Sequence, residues 1–167
     1  MIEKIISGGQ TGVDRAALDW AIANDIGHGG WCPAGHRAED GIIPEHYSLQ
    51  ETPGRGYSER TRWNVRDSDA TLIISSSPEL SGGSLATKQY ANKMDRPCLH
   101  IYPGDEWDAS LRGFIKKHPI HILNVAGPRG SAWANPGPFV HEVLDKISPN
   151  CKHLGKRTVC MDNGQCP

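Results

Sequence analysis

Two glycine-rich turns in the sequence have the residue types that bind an anion. The first, residues 7–15, reads SGGQTGVDR, and the second, residues 81–87, reads SGGSLAT. Each turn opens a segment with helical patterning, and the free N–H groups and dipole at the start of a helix favour a phosphate or another oxyanion. The candidate contacts are Gly8, Gly9, Gln10, Thr11, Gly12, Asp14 and Arg15 in the first turn, and Gly82, Gly83, Ser84 and Thr87 in the second.

The first turn matches neither of the two common nucleotide-binding motifs. It lacks the Lys-Ser/Thr ending of a P-loop, and glycines at positions 8, 9 and 12 do not give the G-x-G-x-x-G spacing. A purely structural role is the alternative, because Thr11 and Asp14 have nearly the spacing of a capping box. We favour a ligand site, because a glycine turn after a strand of an open parallel sheet points at the crevice where such folds bind ligands.

Charged residues elsewhere supply further candidate contacts. Arg129 lies in a third turn, residues 124–131, which follows the last apolar run, and its guanidinium could bind an oxyanion in bidentate fashion. Glu39 and Asp40 could coordinate a cation or accept hydrogen bonds from ligand hydroxyls, and Arg60 could face the crevice from a helical segment. For each of these residues, the alternative is a charge that only faces solvent.

The spacing of the reactive side chains gives no metal-binding motif and no catalytic triad. The eight histidines form no H-E-x-x-H pattern. Cys151, His153, Cys160 and Cys166 lack the C-x-x-C pair that is typical of a zinc site. From spacing alone we therefore assign no metal site formed by the protein and no catalytic residue, and we lean against an enzyme without excluding one.

Short apolar runs alternate with longer segments of helical periodicity. The runs are rich in β-branched residues and continuous rather than alternating, which is typical of strands that are buried on both faces. The predicted strands are 2–6, 29–32, 71–75, 97–101 and 120–126, and the predicted helices are 11–24, 57–67, 84–94, 108–117 and 138–147. This order predicts an α/β fold, a Rossmann-like three-layer sandwich with a mainly parallel sheet of about five strands.

Two segments fall outside this alternation. Residues 33–56 are rich in glycine, proline and charge and have no apolar period. A connection of this length inside an α/β unit is usually functional, so we expect a lid or a subunit contact. Residues 148–167 carry three cysteines and few apolar residues, so we expect one domain at 1–147 followed by a peripheral tail.

Composition limits the class of protein. A chain of 167 residues corresponds to about one domain, and Lys+Arg 18 against Asp+Glu 19 gives a net charge of −1, which disfavours nucleic-acid binding. No stretch reaches the ~20 apolar residues of a membrane span, and the first residues form no signal peptide, so we expect a cytoplasmic protein. Five cysteines, an odd number, favour free thiols over a disulfide framework.

Several of these segments, taken in order, resemble the family of putative molybdenum carrier proteins. The matching segments are SGGQTGVD at 7–14, GWCP at 30–33, AEDG at 38–41, RTRWNVRDSDATLI at 60–73 and NVAGPR at 124–129. The resemblance covers roughly residues 1–147. This family looks like a circularly permuted branch of the SLOG superfamily, whose Rossmann-like members include the lonely-guy phosphoribohydrolases and sensors of nucleotide-derived ligands.

The resemblance implies non-covalent binding of a phosphate-bearing small ligand. The implied cargo is molybdenum cofactor, a pterin with a phosphate and a dithiolene-bound oxomolybdenum centre, which a homo-oligomer would store or carry and pass to molybdoenzymes. One glycine turn would hold the phosphate, and the other turn with Arg129 would face the oxometal end. Replacement of Gly9 and Gly83 by valine is then expected to abolish binding and leave the chain folded.

Two other functions stay open, and the first is cleavage of a nucleoside monophosphate to base and ribose phosphate. Lonely-guy enzymes resemble one another in a P-G-G-x-G-T-x-x-E motif, whose glutamate assists loss of the base. Aligned on its two glycines, the chain has Leu85, Ala86 and Gln89 where that motif has Gly, Thr and Glu. An amide cannot supply the proton chemistry of a carboxylate, although Asp14 or Glu39 could take that role in a permuted chain. The second is nucleotide sensing by a signalling module.

Overall fold

Nine strands and five helices form the part of the chain that the computed structural model describes, residues 1–104 and 106–147. In chain order they are β1 (Lys4–Ile6), α1 (Val13–Ala23), β2 (Gly27–Gly29), β3 (Trp31–Cys32), β4 (Arg37–Ala38), β5 (Gly41–Ile42), β6 (Gln50–Glu51), α2 (Tyr57–Arg66), β7 (Ala70–Ile74), α3 (Gly82–Lys93), β8 (Cys98–Ile101), α4 (Trp107–Lys117), β9 (Ile122–Ala126) and α5 (Gly137–Asp145). A short 3-10 helix, Glu45–Tyr47, precedes β6.

Five of the strands form one fully parallel sheet in the order β2-β1-β9-β7-β8. Every residue of β7 is buried, as expected for a strand that is covered on both faces. Because β9 lies between β1 and β7, the carboxyl ends of these three strands are side by side at one edge of the sheet. The predicted α/β, Rossmann-like architecture is confirmed.

Helices cover both faces of this sheet. On one face α1 packs against α5, and the side chains of Ile5, Leu72 and Val125 share an apolar core with these helices and with α4. On the other face α2 packs against α3, and Val65 and Ala91 from these two helices are fully buried outside that core. In this three-layer arrangement, the loops that follow β1, β9 and β7 lie next to one another at the carboxyl edge of the sheet.

The predicted strand 29–32 is wrong in its bounds. Gly27–Gly29 forms β2 and pairs with β1 in the main sheet instead. The chain then leaves the sheet at Gly30, which has φ of +130°. A β-carbon at Gly30 would lie 2.2 Å from the carbonyl oxygen of Ser7, so only glycine fits there. Trp31–Cys32 pairs instead with Gln50–Glu51 in a separate two-stranded sheet.

Residues 33–56 fold onto α1 rather than extending as an open loop. They form the β4–β5 hairpin, the 3-10 helix and β6, and they bury Ile43 and Tyr47 in a second apolar cluster with Leu18 and Cys32. The Tyr47 hydroxyl donates a hydrogen bond to Asp19 at 2.8 Å. This apolar contribution has no periodic signal in the sequence, and the expected role of the segment as a lid or subunit contact stays a prediction.

The predicted tail, residues 148–167 with Cys151, Cys160 and Cys166, lies outside the described residues. Within the described part of the chain, none of the helices has the length and apolar character that crossing a membrane requires.

Candidate functional site

A cavity of about 530 Å³ opens at the carboxyl edge of the main sheet, beyond β7 and β9. Its lining residues are Gln10, Tyr57, Ser58, Arg60, Thr61, Ser75, Ser76, Ser77, Glu79, Leu80, Ser81, Gly82, Gly83, Ser84, Ala86, Gly127, Pro128, Arg129 and Ala132. Open α/β sheets bind ligands at this edge, and the volume lies within the ~300–1,000 Å³ that is usual for small-molecule sites.

The structure brings six of the sequence-predicted site residues to the cavity wall: Gln10, Arg60, Gly82, Gly83, Ser84 and Arg129. The other nine, which do not line it, are Gly8, Gly9, Thr11, Gly12, Asp14, Arg15, Glu39, Asp40 and Thr87. The second glycine turn therefore faces the cavity directly, whereas the first contributes one side chain to it.

The second turn leaves backbone N–H groups open at the start of α3. Gly82 has φ of +52°, and a β-carbon at Gly82 or Gly83 would meet no atom within 4 Å. No side chain caps the helix, and the first N–H groups of a helix have no partner within it. Thr87 is buried and donates its hydroxyl hydrogen bond to the carbonyl oxygen of Gly83 at 2.8 Å, within α3.

Arg60 brings a positive charge from α2 to the same wall. Its side chain is only 14% exposed, and its Nη1 donates to Asp14 Oδ2 at 3.1 Å. Its Nε is buried and has no hydrogen-bond partner among the described residues. Its guanidinium carbon lies 5.9 Å from the ring centre of Tyr57, which also lines the cavity. A cation is thus held at the wall, and its buried Nε–H is unused among the described residues.

Asp14 lies behind Arg60 and is only 3% exposed. Burial raises the pKa of this carboxyl above its usual value, and the neighbouring Arg60 opposes that rise. The backbone N–H of Gln10 also donates to Asp14 Oδ2, at 3.3 Å. Asp14 therefore contacts Arg60 and the turn rather than the cavity.

The first turn packs against neighbouring segments. Gly9 has φ of +71°, and a β-carbon there would lie 2.3 Å from Leu49 and 3.1 Å from Ile43. Valine is β-branched and is a rare outlier at positive φ, so Gly9→Val is expected to strain the fold, which argues against the expectation that the double variant of Gly9 and Gly83 stays folded. Gly83, with open space around it, accepts a larger side chain.

Glu39 and Asp40 connect the β4–β5 hairpin to the turns at the sheet edge. Glu39 accepts hydrogen bonds from the Thr11 hydroxyl and from the N–H of Ser131, and its Oε2 lies 3.7 Å from Nε of Arg129. Asp40 pairs with Arg15 through two contacts, at 2.6 and 2.7 Å. Hydrogen bonds from Ser131 and Thr11 lower the pKa of Glu39, and the hydrogen bond from Arg15 lowers that of Asp40.

Sequence reasoning missed the hydroxyl groups that line much of the cavity. Ser75, Ser76 and Ser77 follow β7 directly, and the Ser75 hydroxyl donates to the carbonyl oxygen of Ser77 at 2.7 Å. Nε2 of His100 lies 2.7 Å from the same hydroxyl. The signal was present, since a polar run immediately after a buried strand must lie at the carboxyl edge of the sheet. Glu79, the one carboxylate in the described wall, was also missed.

The described cavity wall holds hydroxyl groups, the N–H groups at the start of α3, two arginines and one carboxylate. Among residues 1–104 and 106–147, no three His, Cys, Asp or Glu side chains come together in a way that could hold a metal ion. Arg60 and Arg129 are the positive groups of the wall, and Glu79 is its negative group. Such a wall is suited to an oxyanion held by hydrogen bonds.

A fully parallel sheet, helices on both faces and a cavity beyond the carboxyl ends of its strands define a Rossmann-like α/β protein. The chain belongs to the circularly permutated YpsA SLOG family, whose model it matches over residues 5–148.

A solved structure supports this assignment. The chain is 45% identical to the crystal structure of a putative molybdenum carrier protein from Syntrophus aciditrophicus, with a TM-score of 0.82. The match covers 87% of this chain and 94% of that one. Among curated proteins, none matches this sequence.

Proposed function

We propose that this protein binds a phosphate-bearing small molecule in the cavity beyond β7 and β9. The observation that carries the proposal is Arg60, a cation of the cavity wall whose one hydrogen bond to the described residues runs from Nη1 to Asp14. A guanidinium carries five N–H donors, so those that Asp14 leaves free can bind an oxyanion in the cavity through charge-assisted hydrogen bonds. The N–H groups at the start of α3, from Gly82 to Ser84, border the same space and favour the same ligand.

Molybdenum cofactor is the cargo that we propose. The name of the Syntrophus protein supports this choice, since that protein is 45% identical over most of the chain. The exposed ring of Tyr57 would contact the flat pterin, and the phosphate would lie between Arg60 and α3. Arg129, whose side chain is 59% exposed at the rim, would face the oxometal end. Storage by a homo-oligomer and transfer to molybdoenzymes belong to the same proposal.

Native mass spectrometry of the protein, purified anaerobically from molybdate-replete cells, tests the proposal. We expect a bound molecule with the mass of molybdopterin and the isotope pattern of molybdenum, and the same spectrum gives the subunit number. The Arg60→Gln variant should retain roughly ten- to hundredfold less of it, because a hydrogen bond to a charged group contributes about 1.5–3 kcal/mol.

The matched control is Arg112→Gln, which removes the same charge from an exposed position on α4, outside the cavity. This variant should retain as much ligand as the wild type. Wild-type protein without any bound phosphate compound would overturn the proposal, as would equal retention by the Arg60→Gln variant. A bound nucleotide would keep the cavity assignment and exclude molybdenum cofactor as the cargo.

One observation favours a phosphoribohydrolase as the second function. Glu79 lines the cavity, whereas Asp14 is buried behind Arg60 and Glu39 contacts Thr11 and Ser131. Gln89 lies exposed on α3 and does not line the cavity. In this reaction water would replace the base at the sugar carbon, and Glu79 would assist the departure of the base. Release of adenine from adenosine monophosphate by the wild type, and its loss in Glu79→Gln, would establish this function.

A further inference from the structure

The side chain of Arg60 crosses the backbone of the first glycine turn to reach Asp14. A β-carbon built on Gly8 would lie 1.6 Å from Nη1 of Arg60 and 2.9 Å from Oδ2 of Asp14. The guanidinium therefore occupies the space that any other residue at position 8 would fill with its side chain. Gly8 itself does not line the cavity. The lack of a side chain at position 8 instead leaves the space through which Arg60 reaches Asp14.

Asp14 is the acceptor at the end of this path. Its Oδ2 receives Nη1 of Arg60 at 3.1 Å and the N–H of Gln10 at 3.3 Å, which fixes the carboxyl to the turn. With Nη1 bound on that side, Nε of Arg60 stays buried beside the cavity without a partner among the described residues. A flexible arginine is thereby restricted to one orientation before any ligand arrives.

We propose that Asp14 and the gap at Gly8 form a positioning device, which holds the Arg60 guanidinium against the cavity wall. Asp14 is a positioning residue and does not touch the ligand. The role rests on the proposed anion site, and it assigns to two residues of the first turn a function other than direct contact with phosphate. The orientation of Arg60 can be measured without any ligand.

The variants Gly8→Ala and Asp14→Asn separate this role from folding. Gly8 lacks a positive φ, and the atom that its β-carbon would meet first is the far end of a flexible side chain, so alanine displaces Arg60 and leaves the backbone in place. Asparagine has the shape of aspartate and lacks its charge. Gly113→Ala, with open space around a helical glycine of α4, is the matched control.

The first readout is the Nε–H proton resonance of Arg60 in the nitrogen-proton NMR spectrum, assigned by its absence in Arg60→Lys. We expect slow exchange with water in the wild type and in Gly113→Ala, because Nε is buried. In Gly8→Ala and Asp14→Asn it should exchange at least roughly tenfold faster, as an exposed arginine does. An unchanged resonance in both variants overturns the proposal, whether or not the protein carries a ligand.

The second readout is retention of molybdopterin, measured in the same preparations. Asp14→Asn should lower retention roughly tenfold and should have no further effect in an Arg60→Gln background, since a residue that acts through Arg60 cannot act without it. A further decrease in the double variant would overturn the positioning role. If the wild type carries no ligand but the resonances behave as expected, positioning stands and the proposed function fails.

Discussion

The carbonyl oxygen of Pro128 occupies the space that a side chain on Gly12 would need. A β-carbon at Gly12 would lie 2.6 Å from that oxygen, and the same oxygen accepts a hydrogen bond from the N–H of Val13 at 3.2 Å. Gly12 has φ of +84° and ψ of −128°. The turns after β1 and β9 are therefore packed backbone against backbone.

Gly12→Ala is expected to destabilise the fold by at least about 2 kcal/mol. The conformation of Gly12 is strained for any residue with a β-carbon, and the atom in its way is backbone, which cannot move aside as a side chain can. Urea unfolding followed by tryptophan fluorescence gives the free energy. Gly137→Ala is the control, because a β-carbon there would meet no atom within 4 Å. A loss below about 0.5 kcal/mol would show that the two turns can separate.

The contacts of Glu39 predict a stability that depends on pH. Hydrogen bonds from Ser131 and Thr11 lower the pKa of Glu39 below its usual value of 4.5 in the folded protein. The folded state therefore binds fewer protons than the unfolded state between the two pKa values. The stabilisation by Glu39 is fully present above about pH 4.5 and is lost as the pH falls through the folded pKa.

Glu39→Gln should accordingly lower the urea midpoint at pH 7 and should approach the wild type in strongly acidic solution. Glu45→Gln is the matched control, on an exposed residue of the same segment. Equal differences between wild type and Glu39→Gln at both pH values would mean that the charge of Glu39 does not hold the β4–β5 hairpin.

The sequence predicts the fold well because each central strand carries its own signal. β7 is a continuous β-branched run that needs burial on both faces, and α5 buries Val140, Val143 and Leu144 at the helical spacing. The bounds predicted for the strand at 29–32 are wrong because they depend on the close approach of Gly30 to Ser7, which are distant in sequence. Local patterning carries no information on such an approach.

The same limit explains why two similar glycine turns occupy different environments. Both begin with Ser-Gly-Gly, yet a β-carbon at Gly82 or Gly83 would face open space, whereas one at Gly9 would meet Leu49. The difference comes from residues 33–56, which cover the first turn and have no apolar period to predict where they pack. Thr11 contacts Glu39 and Gly130, which are 28 and 119 positions away. Thr11 and Glu39, which have the chemistry of a ligand site, are therefore hydrogen-bonded to each other.

The two thiols in the described residues are expected to react slowly in the folded protein. Burial raises the pKa of Cys32 to about 11 and that of Cys98 to about 11. At pH 8 roughly one thiol in a thousand is then ionised, and the thiolate is the reactive form.

In a variant with Cys151, Cys160 and Cys166 replaced by serine, Ellman's reagent should label the native protein at least roughly a hundredfold more slowly than the urea-unfolded chain. Labelling should accelerate as the pH rises from 8 to 10, still below the folded pKa values. Equally fast labelling of native and unfolded protein would show that both sites open to solvent.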